Sequence, residues 1–231
     1  MNKTLFFFFL FIFIGCVSFS QKKAPKCESV DGLTINYIDE VPEGFSGAIK
    51  VCYQTGELSA YLTLMNGLTD GISKQWYQNG KQKVEESFKK GILDGKSRSW
   101  YESGNLEAES SYIDGKAEGK SRIWFDTGKL KREMTFINGL ASGFIKFYHE
   151  NGQIEYTVDL KEGVEQGEGK WYYDDGALMK SVVYDNGFAI GTSQEWYSSG
   201  KLKIETEYLD GEPSAYRCYN EEGTLIPCEA E

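Results

Sequence analysis

The sequence predicts an all-β fold: an elongated, single-layer antiparallel meander built of stacked β-hairpin repeats of about 24 residues. Three observations carry this. Glycine recurs at Gly67, Gly91, Gly115, Gly139, Gly163, Gly187 and Gly211, every 24 residues without slippage. Each interval repeats the same internal columns of residue types. Within each interval, two runs of six to eight residues, rich in aromatic and β-branched types and bounded by glycines, are too short for paired helices and fit two strands.

The columns define the unit. A second glycine follows four residues on (Gly71, Gly95, Gly119, Gly143, Gly167, Gly191) and a third nine residues later (Gly80, Gly104, Gly128, Gly152, Gly176, Gly200). Between them stand Trp76, Trp100, Trp124, Tyr148, Tyr172 and Trp196, and beside these Tyr77, Tyr101, Phe125, His149, Tyr173 and Tyr197. Gln82, Leu106, Leu130, Ile154, Leu178 and Leu202 come next, then Phe88, Tyr112, Phe136, Leu160, Tyr184 and Tyr208. The third glycine closes a hairpin tip such as Glu102-Ser103-Gly104 or Asp126-Thr127-Gly128. A two-residue type I′ turn there would force Ser103, Thr127 and Ser199 to positive φ, which costs most for β-branched Thr127. A type I turn followed by a glycine bulge asks positive φ of the glycine alone, and is the predicted tip. That choice places Leu106 opposite Trp100. By period two it also puts Tyr112 on their face, with Tyr101, Ser97, Glu107 and Glu109 on the other.

A meander has two open edges, which repeat proteins protect with atypical end units. Residues 44–66 form a degenerate first unit, 67–210 six regular repeats and 211–231 a degenerate last unit. Cys27 and Cys52 lie near one end, Cys218 and Cys228 near the other, so one staple per end is expected, Cys27–Cys52 and Cys218–Cys228. Zinc is disfavoured by the cysteine spacing and by a single histidine.

The first 20 residues read as a signal peptide: a basic start at Met1-Asn2-Lys3, an apolar run from Leu5 to Ile14 too short to span a bilayer, and small residues at Ser18 and Ser20. Cleavage before Gln21 leaves a soluble protein with an N-terminal extension over 21–43. Cleavage before Cys16, in a lipoprotein-box-like Phe13-Ile14-Gly15-Cys16, leaves a lipidated one. Either outcome places the chain outside the cytoplasm, periplasmic or extracellular, or held at the envelope. A net charge of −10 argues against nucleic acid and anionic lipid as partners, since both reward a concentrated basic face.

No constellation asks for catalysis. His149 occupies a column otherwise filled by tyrosine and phenylalanine, so it reads as a repeat variation. Glu85, Glu109, Glu133 and Glu205 recur at one column, as strand residues opposite lysine or arginine would. Asp174-Asp175-Gly176 stands at a hairpin tip and lacks the longer ligand series of a calcium loop. The aromatic columns read as packing, with one functional option. A column of rings left open could stack on sugars or receive an extended chain, and the column Tyr77, Tyr101, Phe125, His149, Tyr173, Tyr197 is the one predicted to be open.

Units such as Gly115-Lys-Ala-Glu-Gly119-Lys-Ser-Arg-Ile-Trp124-Phe-Asp-Thr-Gly128-Lys-Leu-Lys resemble the bacterial variant of the MORN repeat, over roughly residues 44–223. The resemblance implies a hairpin-repeat fold and no catalytic residues. Proteins with this repeat are often labelled antitoxin-like, and MORN repeats in general are described as membrane-associated or scaffolding elements. An exported chain departs from a cytoplasmic antitoxin role. Lys170 to Gly176 also resembles one unit of a choline-binding cell-wall repeat, whose period of nearer 20 residues does not match. The expectation is therefore a non-enzymatic, cofactor-free module that binds or scaffolds protein, with carbohydrate or cell-wall binding through the aromatic column as the alternative.

Overall fold

The computed structural model describes residues 43–53 and 55–228. Within them the chain forms one 19-stranded antiparallel sheet and no helix. Each hairpin strand pairs with the hairpin strands before and after it, and the short Leu68–Thr69, Lys116–Ala117 and Leu140–Ala141 pair only with the strand before them. Gly71–Trp76 pairs with Gln82–Lys89, that with Ile92–Trp100, and that with Leu106–Ile113, and so on to the C-terminus. The first hairpin joins Gly47–Cys52 to Leu58–Met65, and the last joins Glu212–Tyr219 to the short Leu225–Ile226. The signal segment 1–20, Cys16, Cys27 and nearly all of 21–43 lie outside the described residues, and so does the pairing of Cys27 with Cys52.

Two turn types alternate, one along each long edge. At the tips with the third glycine, Gly104 N–H donates to the Tyr101 carbonyl at 2.8 Å and Tyr101 N–H to the Asn105 carbonyl at 2.9 Å. Gly104 takes φ 94 while Glu102 and Ser103 stay out of the positive region. This is the predicted type I turn with its glycine bulge. The opposite edge is made of two-residue loops with both residues at positive φ, for example Asp114 at 47 and Gly115 at 78, the signature of type I′ turns.

The pairing of Trp100 with Leu106 is as the turn predicts, but Tyr112 is not on their face. Ser99 pairs with Ala108, so Glu107 has no partner and a second bulge follows the first. The extra residue flips everything beyond it. Tyr112 lies opposite Gly95 on one face together with Ser97, whereas Glu109 lies opposite Arg98 on the face of Trp100. The same shift recurs between Gln75 and Trp76, Phe147 and Tyr148, Trp171 and Tyr172, and Glu195 and Trp196.

The two faces differ as a result. The core face carries the late aromatic of each repeat opposite the second glycine, such as Phe88 across from Gly71 and Tyr184 across from Gly167. A large side chain can lie over a residue that has none of its own. Along its midline run Glu86, Ser110, Met134, Val158, Val182 and Thr206, with Val158 only 1 % and Val182 3 % exposed. Tyr156 stacks on Trp171 with ring centroids 4.4 Å apart, and Phe147 lies 6.0 Å from Tyr156. The small core therefore centres on the fourth and fifth repeats.

Hydrogen bonds between repeats lace both edges. On the type I′ edge, Gly91 N–H donates to the Thr69 carbonyl (2.7 Å) and Gly115 N–H to that of Leu93 (2.8 Å). Asp70 and Asp94 accept from the neighbouring Lys90 and Asp114 amides at 3.0 and 3.2 Å. A Cβ on Gly211 would come 2.8 Å from Phe188 Cδ1, so the unbroken period also meets a need for close approach by the preceding repeat. At the C-terminal end Cys218 and Cys228 are joined, with Cα atoms 5.3 Å apart.

Candidate interaction surface

The second aromatic column is tied into the array. Tyr77 Oη donates to the Trp100 carbonyl (2.7 Å), Tyr101 to that of Trp124 (2.8 Å), Tyr173 to that of Trp196 (2.7 Å) and Tyr197 to that of Tyr219 (2.9 Å). Each bond spans to the next repeat. Phe125 has no hydroxyl to give. His149 Nε2 lies 2.9 Å from the Tyr172 carbonyl, and because a carbonyl only accepts, its proton sits on Nε2. His149 thus does the tyrosine's work and faces no nucleophile. The unpaired bulge residue supplies a cation to the ring face: Lys83 lies 5.5 Å from the Tyr77 ring centre, Lys131 5.3 Å from Phe125 and Lys203 5.7 Å from Tyr197. Burial, helped by nearby Glu107, raises the pKa of the Tyr77 and Tyr101 phenols above the ordinary tyrosine value. Asp174-Asp175-Gly176 is a tip, where Asp175 Oδ1 accepts from Ala177 N–H at 2.8 Å.

The face opposite the core is organised in three rows. Nearest the type I tips stand Trp76, Trp100, Trp124, Tyr148, Tyr172 and Trp196 with their leucine-type partners. Along the middle runs a ladder of opposite charges, one residue per strand: Lys74, Glu85, Arg98, Glu109, Arg122, Glu133, Lys146. Lys74 and Glu85 are 3.0 Å apart, Arg98 and Glu109 2.6 Å, Arg122 and Glu133 2.6 Å. The hydrogen bonds from Lys74, Arg98 and Arg122 hold the pKa values of Glu85, Glu109 and Glu133 below the ordinary carboxylate value. The recurring glutamates are thus cross-strand ion-pair partners, as their spacing implied.

The third row borders the type I′ edge and sets apolar residues opposite exposed charged ones, Lys89, Lys116, Lys161 and Asp185. Ile72, Ile92, Ile113, Ile137, Leu140, Phe144, Val164 and Phe188 are all exposed, Phe188 at 63 % and Phe144 at 60 %. Sequence reasoning overlooked this band, although the residue just after the first glycine repeats as Leu68, Ile92, Lys116, Leu140, Val164 and Phe188. Its signal was visible in the period. Even spacing puts that column on the tryptophan face in either register, and the second bulge adds Ile113 and Ile137 to it while moving the late aromatics to the other side.

A family model described as the MORN repeat variant matches residues 69–90, 93–114, 117–138, 145–162, 165–186 and 190–210, more than half of the chain. The protein belongs to the MORN repeat variant family. Repeats of this family commonly serve as protein- or membrane-binding modules and are generally non-enzymatic. A search of curated proteins gives no significant match. Among solved structures the chain is similar to a point mutant of S. aureus TarM in complex with fondaparinux, alpha-GlcNAc-glycerol and UDP. The identity is 15 % and the TM-score 0.21, over 52 % of this chain and 19 % of that one. A likeness of that size establishes neither shared fold nor shared activity.

Proposed function

We propose that the protein is an exported, non-enzymatic module that binds or scaffolds other proteins through its charged face. The carrying observation is the exposed apolar band beside the charge ladder. Single exposed apolar residues are ordinary, but a recurring row of them, set among Lys89, Lys116, Lys161 and Asp185 on the same face, favours an interaction surface. Strand spacing of about 4.8 Å sets successive repeats roughly 9.6 Å apart, which suits an extended partner. Export is supported by the signal-like N-terminus and by the Cys218–Cys228 bond, which persists in an oxidising compartment. Processing at Cys16 would add an envelope anchor, and mass spectrometry of the mature N-terminus distinguishes the two forms.

The glycan alternative rests on the column Tyr77 to Tyr197, whose hydroxyls and several ring faces are engaged within the array. It therefore has the weaker support. The test is affinity capture from an envelope extract by the wild-type protein and by Ile113→Glu/Ile137→Glu, with folding checked by circular dichroism. A discrete protein retained by the wild type and lost from the folded variant is expected. Equal capture by both overturns the face assignment. Peptidoglycan binding abolished by Tyr101→Ala/Tyr173→Ala, without protein capture, favours the alternative.

A further inference from the structure

The charge ladder loses its carboxylates at Thr157 and again at Ser181, and of these two only Thr157 stands between two lysines, since Ser181 lies between Lys170 and Gln194. Glu85 stands between Lys74 and Arg98, Glu109 between Arg98 and Arg122, Glu133 between Arg122 and Lys146. The next such position, between Lys146 and Lys170, is Thr157. No carboxylate fills its place. Glu133 on the other side of Lys146 is already bonded to Arg122 and Lys120, so half-buried Lys146 has neither ion pair nor hydrogen bond among the described residues. Lys170 reaches along its own strand to Glu168 at 2.8 Å. The Thr157 hydroxyl is shielded from solvent and has no partner, the one such side-chain atom among the described residues. Thr157, Lys170, Tyr172 and the exposed Phe144 line a shallow depression there, together with Asp159 and Glu168.

We infer that this notch is the seat for a carboxylate of a bound protein, an aspartate or glutamate side chain next to an apolar residue. The inference rests on the protein-binding reading above and specifies where one partner side chain docks. The array provides its own template, because at three neighbouring positions the group between two cations is a glutamate. The incoming carboxylate docks over Thr157 and accepts from Lys146 Nζ, replacing the missing rung, while the adjacent apolar residue covers Phe144. Asp159 and Glu168 at the rim oppose a second negative charge, so the notch takes one carboxylate and disfavours a run of them.

Thr157→Glu tests this with the full protein, since it places the chain's own carboxylate in the notch. Fluorescence anisotropy is read with a labelled peptide alternating glutamate and phenylalanine, and with a glutamine-for-glutamate control. Free glucuronate serves as competitor. The wild type is expected to bind the glutamate peptide at least tenfold more tightly than the control. Thr157→Glu is expected to lose that difference and to unfold at a higher denaturant concentration, which separates blockage from misfolding. Lys146→Met is expected to lose the difference as well. Unchanged peptide preference in folded Thr157→Glu overturns the notch. Saturable binding of glucuronate with none of the peptide overturns the protein source. If capture of an envelope protein persists in Thr157→Glu yet fails in Ile113→Glu/Ile137→Glu, the notch is wrong while the module reading stands.

Discussion

At the scale of single residues, the positions that break the repeat's own rules make the sharpest predictions. Glu86 stands in the buried midline column where Met134, Val158 and Val182 stand in later repeats. Its one hydrogen-bond donor there is Ser97, at 3.3 Å. Burial raises its pKa, so the folded state prefers the protonated form. A raised carboxyl pKa lowers stability at neutral pH and relieves that cost as pH falls through the folded value. Glu86→Gln is therefore expected to raise the urea midpoint at pH 7, with the gain shrinking toward pH 4. A gain that is constant with pH would show that charge is not the cause. Lys90 holds φ 51 in a type I′ turn where most repeats have asparagine or aspartate. Lys90→Asn is expected to stabilise by ~0.5–1 kcal/mol, read from chemical denaturation, because asparagine tolerates the left-handed region better.

Among elements, the unit that matters is the contact between one hairpin and the next. Most repeats close it on the type I edge with a ring hydroxyl or imidazole on the following repeat's carbonyl, and Phe125 cannot. Phe125→Tyr is expected to form the missing bond to the Tyr148 carbonyl and add ~0.5–1.5 kcal/mol. An unchanged denaturation midpoint would show that the column stabilises through ring packing alone. This scale also shows what could be read in advance. The type I tip and the Trp100–Leu106 pair were legible because glycine chemistry selects one turn. The faces beyond the tip were not, because the bulge at Glu107 and its counterparts carries no glycine or proline to announce it. A strand read at period two without that extra residue assigns Tyr112 and Glu109 to the wrong sides. The open column was sought among the tyrosines for the same reason, while the exposed apolar band lay at the other edge.

Across the whole molecule, stability is a sum over neighbours, with ends that have one neighbour each. Reducing Cys218–Cys228 is expected to raise amide exchange first within 211–228 and to leave the core around Val158 and Val182 protected; uniform loosening would contradict the nearest-neighbour picture. The ion-pair ladder links the array to pH. Glu85, Glu109 and Glu133 have lowered pKa values in the fold, so their contribution is present above the ordinary carboxylate value and is lost as pH falls through the lowered ones. Thermal unfolding should shift to lower temperature on acidification below about pH 4.5, and less so in Glu109→Gln.

The claim on which the functional account turns is that the two faces have different roles, one packing the array and the other meeting a partner. Site-specific photocrosslinking in the native envelope tests it most directly, with a benzophenone side chain placed at Phe188 on the exposed apolar band or at Lys180 on the core face. The account predicts a discrete protein adduct from position 188 and none from position 180. Adducts from both positions alike, or from position 180 alone, would contradict it.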